Sequence, residues 1–239
     1  MNVVQRLRRL APFGSRLWKE ALDMLFPPSC VGCGEEGSYL CESCRASLPR
    51  LDGPLCPVCA RPLGPEGVCL PCVRSPLRIE GITAAFRMEG VAREMVHRLK
   101  YDNLRALASL MSPLMAECLR PRGIAADVVV PVPLHRARER QRGYNQALLL
   151  ARGVADALAL PLEAGALVRL VDTPAQVGLE GMEARRGNVA GAFRARTAFS
   201  GWRVLLVDDV CTTGATLEAC ALALEAAQAS EVWGLVFAR

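Results

Sequence analysis

The chain has 239 residues, 51% of them hydrophobic and 22% charged, a length that supports one sizeable core plus a smaller module, so two domains are expected. No apolar run approaches the ~18 residues needed to cross a bilayer, and "MNVVQRLRRLAPFGSRLW" has the basic start of a secretory signal without its apolar middle, so a cytoplasmic protein is expected. A net charge of +5 leans toward anionic ligands and is too mild to mark a dedicated nucleic-acid arm.

The first predicted element is a helical segment in residues 1–28. There "RLWKEALDMLF" places Leu17, Ala21, Leu22 and Leu25 on one face, a packing stripe rather than a membrane-inserting one. A cysteine module follows, over residues 29–78. Eight of the eleven cysteines fall in it as four Cys-x-x-Cys pairs: Cys30 and Cys33, Cys41 and Cys44, Cys56 and Cys59, Cys69 and Cys72. A reducing cytoplasm would not keep such a cluster as a disulfide framework. A two-residue gap instead lets one tight turn aim both thiolates at a single ion, and Zn²⁺ accepts four sulfurs tetrahedrally. Two structural Zn²⁺ sites, a double zinc ribbon, are therefore predicted. Sequential and interleaved groupings use the same residues, and the shorter intervening loops favour the sequential one. Each ion would supply on the order of 10 kcal/mol to a module with little core of its own.

From Ile79 the cysteine pairs stop, and residues 79–239 read as an α/β domain. "GITAAFRME" is extended, and residues 91–119 carry helical periodicity through Val91, Met95 and Leu99 and then Leu107, Leu110 and Leu114. "ADVVVPVPL" is a β-branched run ended by prolines, and "NQALLLARGVADALAL" is a helix with Ala147, Ala151, Val154, Ala155 and Leu158 in register. "WRVLLVDD" is a buried strand, "TLEACALALEAAQA" a helix with Leu217, Ala221, Leu224 and Gln228 on one face, and "EVWGLVFAR" the last strand. Strands alternating with helices predict a parallel sheet covered on both faces, with ligands at the carboxyl ends of its strands.

"VLLVDDVCTTGAT" ends a strand on Asp208 and Asp209 and opens the next helix through Thr212, Thr213, Gly214 and Thr216. Backbone N–H groups, hydroxyls and the positive end of a helix dipole make a phosphate cradle there. It lacks the lysine of a P-loop, since no G-x-x-x-x-G-K occurs. Carboxylates beside a phosphate would repel it unless they accept hydrogen bonds from sugar hydroxyls or help to hold Mg²⁺. A phosphate cradle with a hydroxyl acceptor describes a ribose 5-phosphate. Plain helix capping also uses Asp and Thr, but it does not call for this ordered series of residue types.

The same stretch resembles the signature of the type I phosphoribosyltransferases. Together with "DVVVPVPLHRARERQRGYNQA", "RLVDTPAQVGLEGMEARRGNVAGAF" and the cysteine pairs, it resembles the ComF family of competence-associated proteins over nearly the whole chain. The resemblance implies a type I phosphoribosyltransferase fold, with Asp208 and Asp209 as ligands of the ribose hydroxyls. It makes Thr212, Thr213, Gly214, Ala215 and Thr216 the loop for the 5-phosphate of phosphoribosyl pyrophosphate, bound with Mg²⁺. The loop after "VVVPVP", Leu134, His135 and Arg136, becomes the pyrophosphate side. Gln176, Arg185, Arg186 and Asn188 fall in a loop-rich insertion, from which Arg185 and Arg186 would reach the pyrophosphate.

The function so implied is a phosphoribosyltransferase of the glycosyltransferase class, with an unidentified acceptor, acting in natural transformation on incoming single-stranded DNA. It would be cytoplasmic or peripheral at the inner membrane, and its zinc ribbons could dock DNA-uptake proteins. Two alternatives stay open: a transferase of nucleotide metabolism unrelated to DNA uptake, and a ribose-phosphate sensor without turnover. The run Arg136, Arg138, Arg140 and Arg142 brings charge that a pyrophosphate needs or forms a solvated helix face. Cys211 has no base nearby in sequence and reads as non-catalytic. Cys118 and Cys220 read as core, and His97 as surface.

Overall fold

The computed structural model describes residues 27–64, 66–171 and 191–239. The helical segment expected through Leu17 to Leu25, and Gln176, Arg185, Arg186 and Asn188, lie outside the described residues. The cysteine pairs form tight turns and two one-turn helices, α1 (Glu42–Ala46) and α2 (Leu70–Arg74). Then come β1 (Gly81–Phe86), α3 (Gly90–Tyr101), α4 (Leu107–Glu117) and β2 (Val128–Pro131). After these run α5 (Arg136–Arg142), α6 (Gln146–Leu158), the short strands β3 (Leu167–Arg169) and β4 (Phe193–Ala195), β5 (Arg203–Val210), α7 (Ala215–Glu225) and β6 (Glu231–Ala238).

Four strands form one sheet in the order β1-β6-β5-β2, every pair parallel, as the alternation predicts. Successive side chains leave a strand on opposite faces, and both faces are apolar here. Val129, Leu205, Val207, Leu235 and Phe237 pack with α3, α4 and α6. Val128, Val130, Val204, Leu206, Val232 and Val236 pack with α7, β3 and β4. At its outer side β2 is extended by one parallel bridge from Val129 to Leu162.

Three local features depart from the sequence expectation. The periodic stretch 91–119 is two helices, broken after Tyr101 by a turn in which Asn103 takes φ +56°. The turn-forming Asp102 and Asn103 outweigh an apolar period that continues across them. Leu110 is consequently on the exposed side of α4. The helix α7 stops at Glu225, so Gln228, at φ +69°, is in the turn that follows rather than on the helical face. The antiparallel pair β3 and β4 has three residues per strand, too short for a period to register.

The cysteine turns lie against the free side of β1. The Ile82 amide donates to the Val58 carbonyl at 2.9 Å, and Arg122 donates to the carbonyls of Ile82 (2.8 Å) and Pro57 (3.2 Å) and to Thr83 Oγ1 (2.8 Å). A side chain at Gly81 would put its Cβ 2.7 Å from the Pro57 carbonyl, so the close approach requires glycine.

Candidate active site and metal centres

The apolar run of β5 ends on Asp208 and Asp209, both buried at the carboxyl end of an interior strand. The Asp209 amide donates to Asp208 Oδ1 at 2.8 Å, which folds the Asp208 side chain back onto the adjoining backbone. Lys100, in the last turn of α3, sets its Nζ 2.5 Å from Asp209 Oδ2. Gln146, the first residue of α6, donates through Nε2 to Asp209 Oδ1 at 3.4 Å and accepts from the Arg142 guanidinium. Three elements distant in sequence thus meet on one carboxylate.

The electrostatics follow from that arrangement. Burial and then the neighbouring Asp209 charge push Asp208 well above the usual carboxylate range. Burial acts in the same direction on Asp209, but the Lys100 charge overcomes it and holds this acid below the usual value. Burial disfavours the Lys100 ammonium, and Asp209 in turn outweighs that cost and raises its pKa. The pair therefore does not present two full negative charges. One acid is biased toward its neutral form and the other is matched by a lysine, which lowers the net negative charge at this end of the strand.

Past Val210 the chain turns sharply. The Cys211 amide donates to the Ala238 carbonyl at 3.1 Å, and Thr213 Oγ1 accepts from the Ala215 amide at 3.3 Å. Gly214 has φ +94° and precedes the first residue of α7. This conformation favours glycine, and a Cβ there would also stand 2.8 Å from Leu77 Cδ1. The first amides of α7 have no partner within the helix and face the loop, so Thr212 to Thr216 bring hydroxyls and N–H donors together beside the two acids. Cys211 is buried, which pushes its thiol up, and its sulfur receives the Arg239 guanidinium at 2.8 Å. Cys220 is fully buried in the core on the α7 side of the sheet, Cys118 is half-buried against the core on the opposite side, and His97 is exposed.

On the other side of β5, β2 leads through Leu134 to His135, which caps α5 by accepting from the Ala137 amide at Nδ1 (3.4 Å). Arg136 is exposed at the start of that helix. Asn145 ties the exit of β2 to α6: its Nδ2 donates to the Val132 carbonyl at 3.0 Å and its Oδ1 caps the helix at the Ala147 amide (2.9 Å). Sequence reading missed Lys100, Gln146 and Asn145. "LKYDN" and "YNQ" contain the residues, but only the tertiary fold brings Lys100 and Gln146 to Asp209 and Asn145 to the exit of β2.

The cysteines group sequentially. The Sγ atoms of Cys30, Cys33, Cys41 and Cys44, and those of Cys56, Cys59, Cys69 and Cys72, each lie within 4.8 Å of one another. Cys33 and Cys41 are 3.6 Å apart, Cys59 and Cys69 3.6 Å, and Cys56 and Cys72 3.7 Å. Four Zn–S bonds of ~2.3 Å in a tetrahedron give sulfur–sulfur edges of about 3.8 Å. Donor type and spacing fit two four-thiolate Zn²⁺ sites.

Two family models match parts of the chain. A double zinc ribbon domain matches residues 21–73, and a phosphoribosyl transferase domain matches residues 144–238. DNA utilization protein YhgH of Escherichia coli is 30% identical over 204 residues, covering 82% of this chain and 89% of that protein. Competence protein F of Haemophilus influenzae is 30% identical over 218 residues, covering 87% and 84%. The chain belongs to the ComF family. Another relative of this ComF-family chain, competence protein ComFC of Bacillus subtilis, is 29% identical over 195 residues and 77% of each chain. The two cysteine tetrads are the metal centres of the double zinc ribbon, and Asp208 to Thr216 fall inside the phosphoribosyl transferase match, whereas Lys100 and His135 precede it. Among the described residues no helix is long and apolar enough to cross a membrane.

Proposed function

We propose that this protein binds phosphoribosyl pyrophosphate with Mg²⁺ and transfers its phosphoribosyl group to an acceptor used in handling incoming single-stranded DNA. The observation that carries the reading is the junction of β5 and α7, where two buried carboxylates adjoin a glycine turn at a helix start. In this reading Asp208 and Asp209 accept the ribose 2- and 3-hydroxyls, and the loop from Thr212 to Thr216 receives the 5-phosphate. Leu134, His135 and Arg136 take the pyrophosphate side, with Arg185 and Arg186 reaching it from the insertion. Carboxylate and hydroxyl oxygens suit Mg²⁺, which when bound neutralises charge on the departing pyrophosphate. The chain's own residues then have one task, to hold the sugar while positive charge develops on it and to exclude water from the carbon that is attacked. The division into a ribbon module over 29–78 and a transferase domain over 79–239 belongs to the same proposal.

The role in DNA uptake draws on the relatives, which are named for competence and DNA utilization. Calorimetry with phosphoribosyl pyrophosphate and Mg²⁺ tests the site. Binding is expected to vanish in the double variant Asp208→Ala, Asp209→Ala, with both zinc ions retained; unchanged binding would overturn the assignment. Pyrophosphate release is then screened across bases, amines and single-stranded DNA. Affinity for the single strand should fall steeply with salt, whereas pocket binding should follow the aspartates.

A further inference from the structure

The second zinc ribbon contacts the loop from Thr212 to Thr216, proposed above as the 5-phosphate cradle. Arg61, two residues after the ligand Cys59, donates through Nη2 to the Thr212 carbonyl at 2.9 Å. Arg239, at the end of β6, donates to the same carbonyl at 3.2 Å. Two guanidinium groups far apart in sequence thus converge on one peptide oxygen. Leu77, which follows the last cysteine of the ribbon, occupies the space that a side chain at Gly214 would need, and the Arg78 amide donates to Glu218 Oε1 at 3.0 Å in the first turn of α7. Cys59, Arg61, Cys72, Leu77 and Thr213 line one cleft, so two zinc ligands and the phosphate loop share a wall.

The metal knuckle fixes where Arg61 starts. The Cys56 amide donates to the Arg61 carbonyl at 2.8 Å, the Ala60 amide donates to the Cys56 carbonyl at 2.9 Å, and Ala60 takes φ +56° to close the turn. At the far end of the side chain a second constraint operates. In a trans peptide the C=O and the following N–H point in opposite directions, so anchoring the Thr212 carbonyl toward the ribbon turns the Thr213 amide away from it. A loop that offers several amides to one anion loses affinity if it must be ordered at the moment of binding.

We propose that Arg61 is a positioning residue for the 5-phosphate loop, held in place by the second zinc site, so that metal occupancy of that ribbon and affinity for the 5-phosphate are thermodynamically linked. The inference rests on the reading of Thr212 to Thr216 as the phosphate loop. Linkage is reciprocal, so the bound sugar phosphate also raises the affinity of the second site for its ion by the same factor.

The test uses the full chain carrying both zinc ions. Arg61→Ala is expected to keep two ions per chain and lose about tenfold in affinity for phosphoribosyl pyrophosphate with Mg²⁺, the scale of a charge-assisted hydrogen bond. Pyrophosphate with Mg²⁺ alone, which does not use this loop, should bind as before, and Arg61→Lys should recover part of the loss. A general folding defect would lower both ligands together and overturn the assignment. In a second arm, zinc is withdrawn from the unsubstituted chain by a colorimetric chelator. At equilibrium with the chelator, phosphoribosyl pyrophosphate should tighten retention of one ion about tenfold and leave the other unchanged; equal retention of both ions with and without it would refute the linkage. Parental affinity in Arg61→Ala sinks this inference alone, whereas a parent chain that does not bind phosphoribosyl pyrophosphate sinks the site reading along with it.

Discussion

The two zinc ribbons are close copies at the metal and differ in what they touch. In each, the amide of the first cysteine donates to a carbonyl five residues on, Glu35 or Arg61, both at 2.8 Å. In each, the residue after the second cysteine is left-handed, Gly34 at φ +82° and Ala60 at φ +56°. The equivalent position therefore carries an acid in the first ribbon and an arginine in the second. Glu35 stays beside its own metal ligand, 4.0 Å from Cys33 Sγ, whereas Arg61 reaches out to Thr212. The first ribbon instead contributes to the core under α3, through Val31 and Leu48, and the Arg87 amide donates to its Pro49 carbonyl at 2.8 Å. The same four-cysteine arrangement thus carries two different contact surfaces, with Glu35 turned to its own ribbon and Arg61 to Thr212.

The largest expected effect separates these surfaces directly. Cys33→Ser and Cys72→Ser should each lose one of two zinc ions by elemental analysis, with metal-linked folding energy on the order of 10 kcal/mol withdrawn from the affected ribbon. Cys33→Ser should still bind phosphoribosyl pyrophosphate, and Cys72→Ser should lose that binding. Equal losses would break the contrast.

A smaller effect is expected at Lys100, on the helix that the first ribbon covers. Lys100→Met leaves Asp209 buried without its cation and should cost roughly 3 kcal/mol in urea denaturation. Adding Asp209→Asn should return most of it. If Lys100→Met leaves stability intact, the pairing does not hold in solution.

The smallest effect provides a control at the amino ends of β2 and β5, away from the acids. Asp127 receives the Arg203 guanidinium at 2.7 and 3.1 Å and the Arg203 amide at 2.9 Å, which lower its pKa to about 2. A carboxylate lowered in the folded state adds stability that is complete above its unfolded value, about 4, and is lost as pH falls through its folded one. Asp127→Asn should flatten the acid limb of the stability curve between about pH 4 and pH 2, with ligand binding at neutral pH unchanged.

Local chemistry was legible in the sequence, and convergence was not. Spacing identified all eight zinc ligands because a Cys-x-x-Cys turn is a local object, and the sequential grouping followed from loop length. The parallel sheet was readable because buried strands and amphipathic helices have distinct periods. Asp208, Asp209 and the glycine turn stood in one unbroken stretch. Lys100 did not signal itself: a lysine in a helical charge pattern looks solvated until the fold carries it to Asp209. Arg61 was silent for the same reason, since its partner carbonyl is 151 residues away. Asp102 and Asn103 did announce the break between α3 and α4, but the apolar period running past them masked it.

The contact between Val58 and Ile82 has a consequence of another kind. β1 is the last strand on its side of the sheet, and a bare strand edge is a template for pairing with a second chain. The second ribbon covers that edge with the Val58 carbonyl, and Arg122 occupies the Ile82 carbonyl beside it. An ion that orders this ribbon would thereby help to keep the edge of β1 covered, and its removal is expected to open that edge to pairing with a second chain.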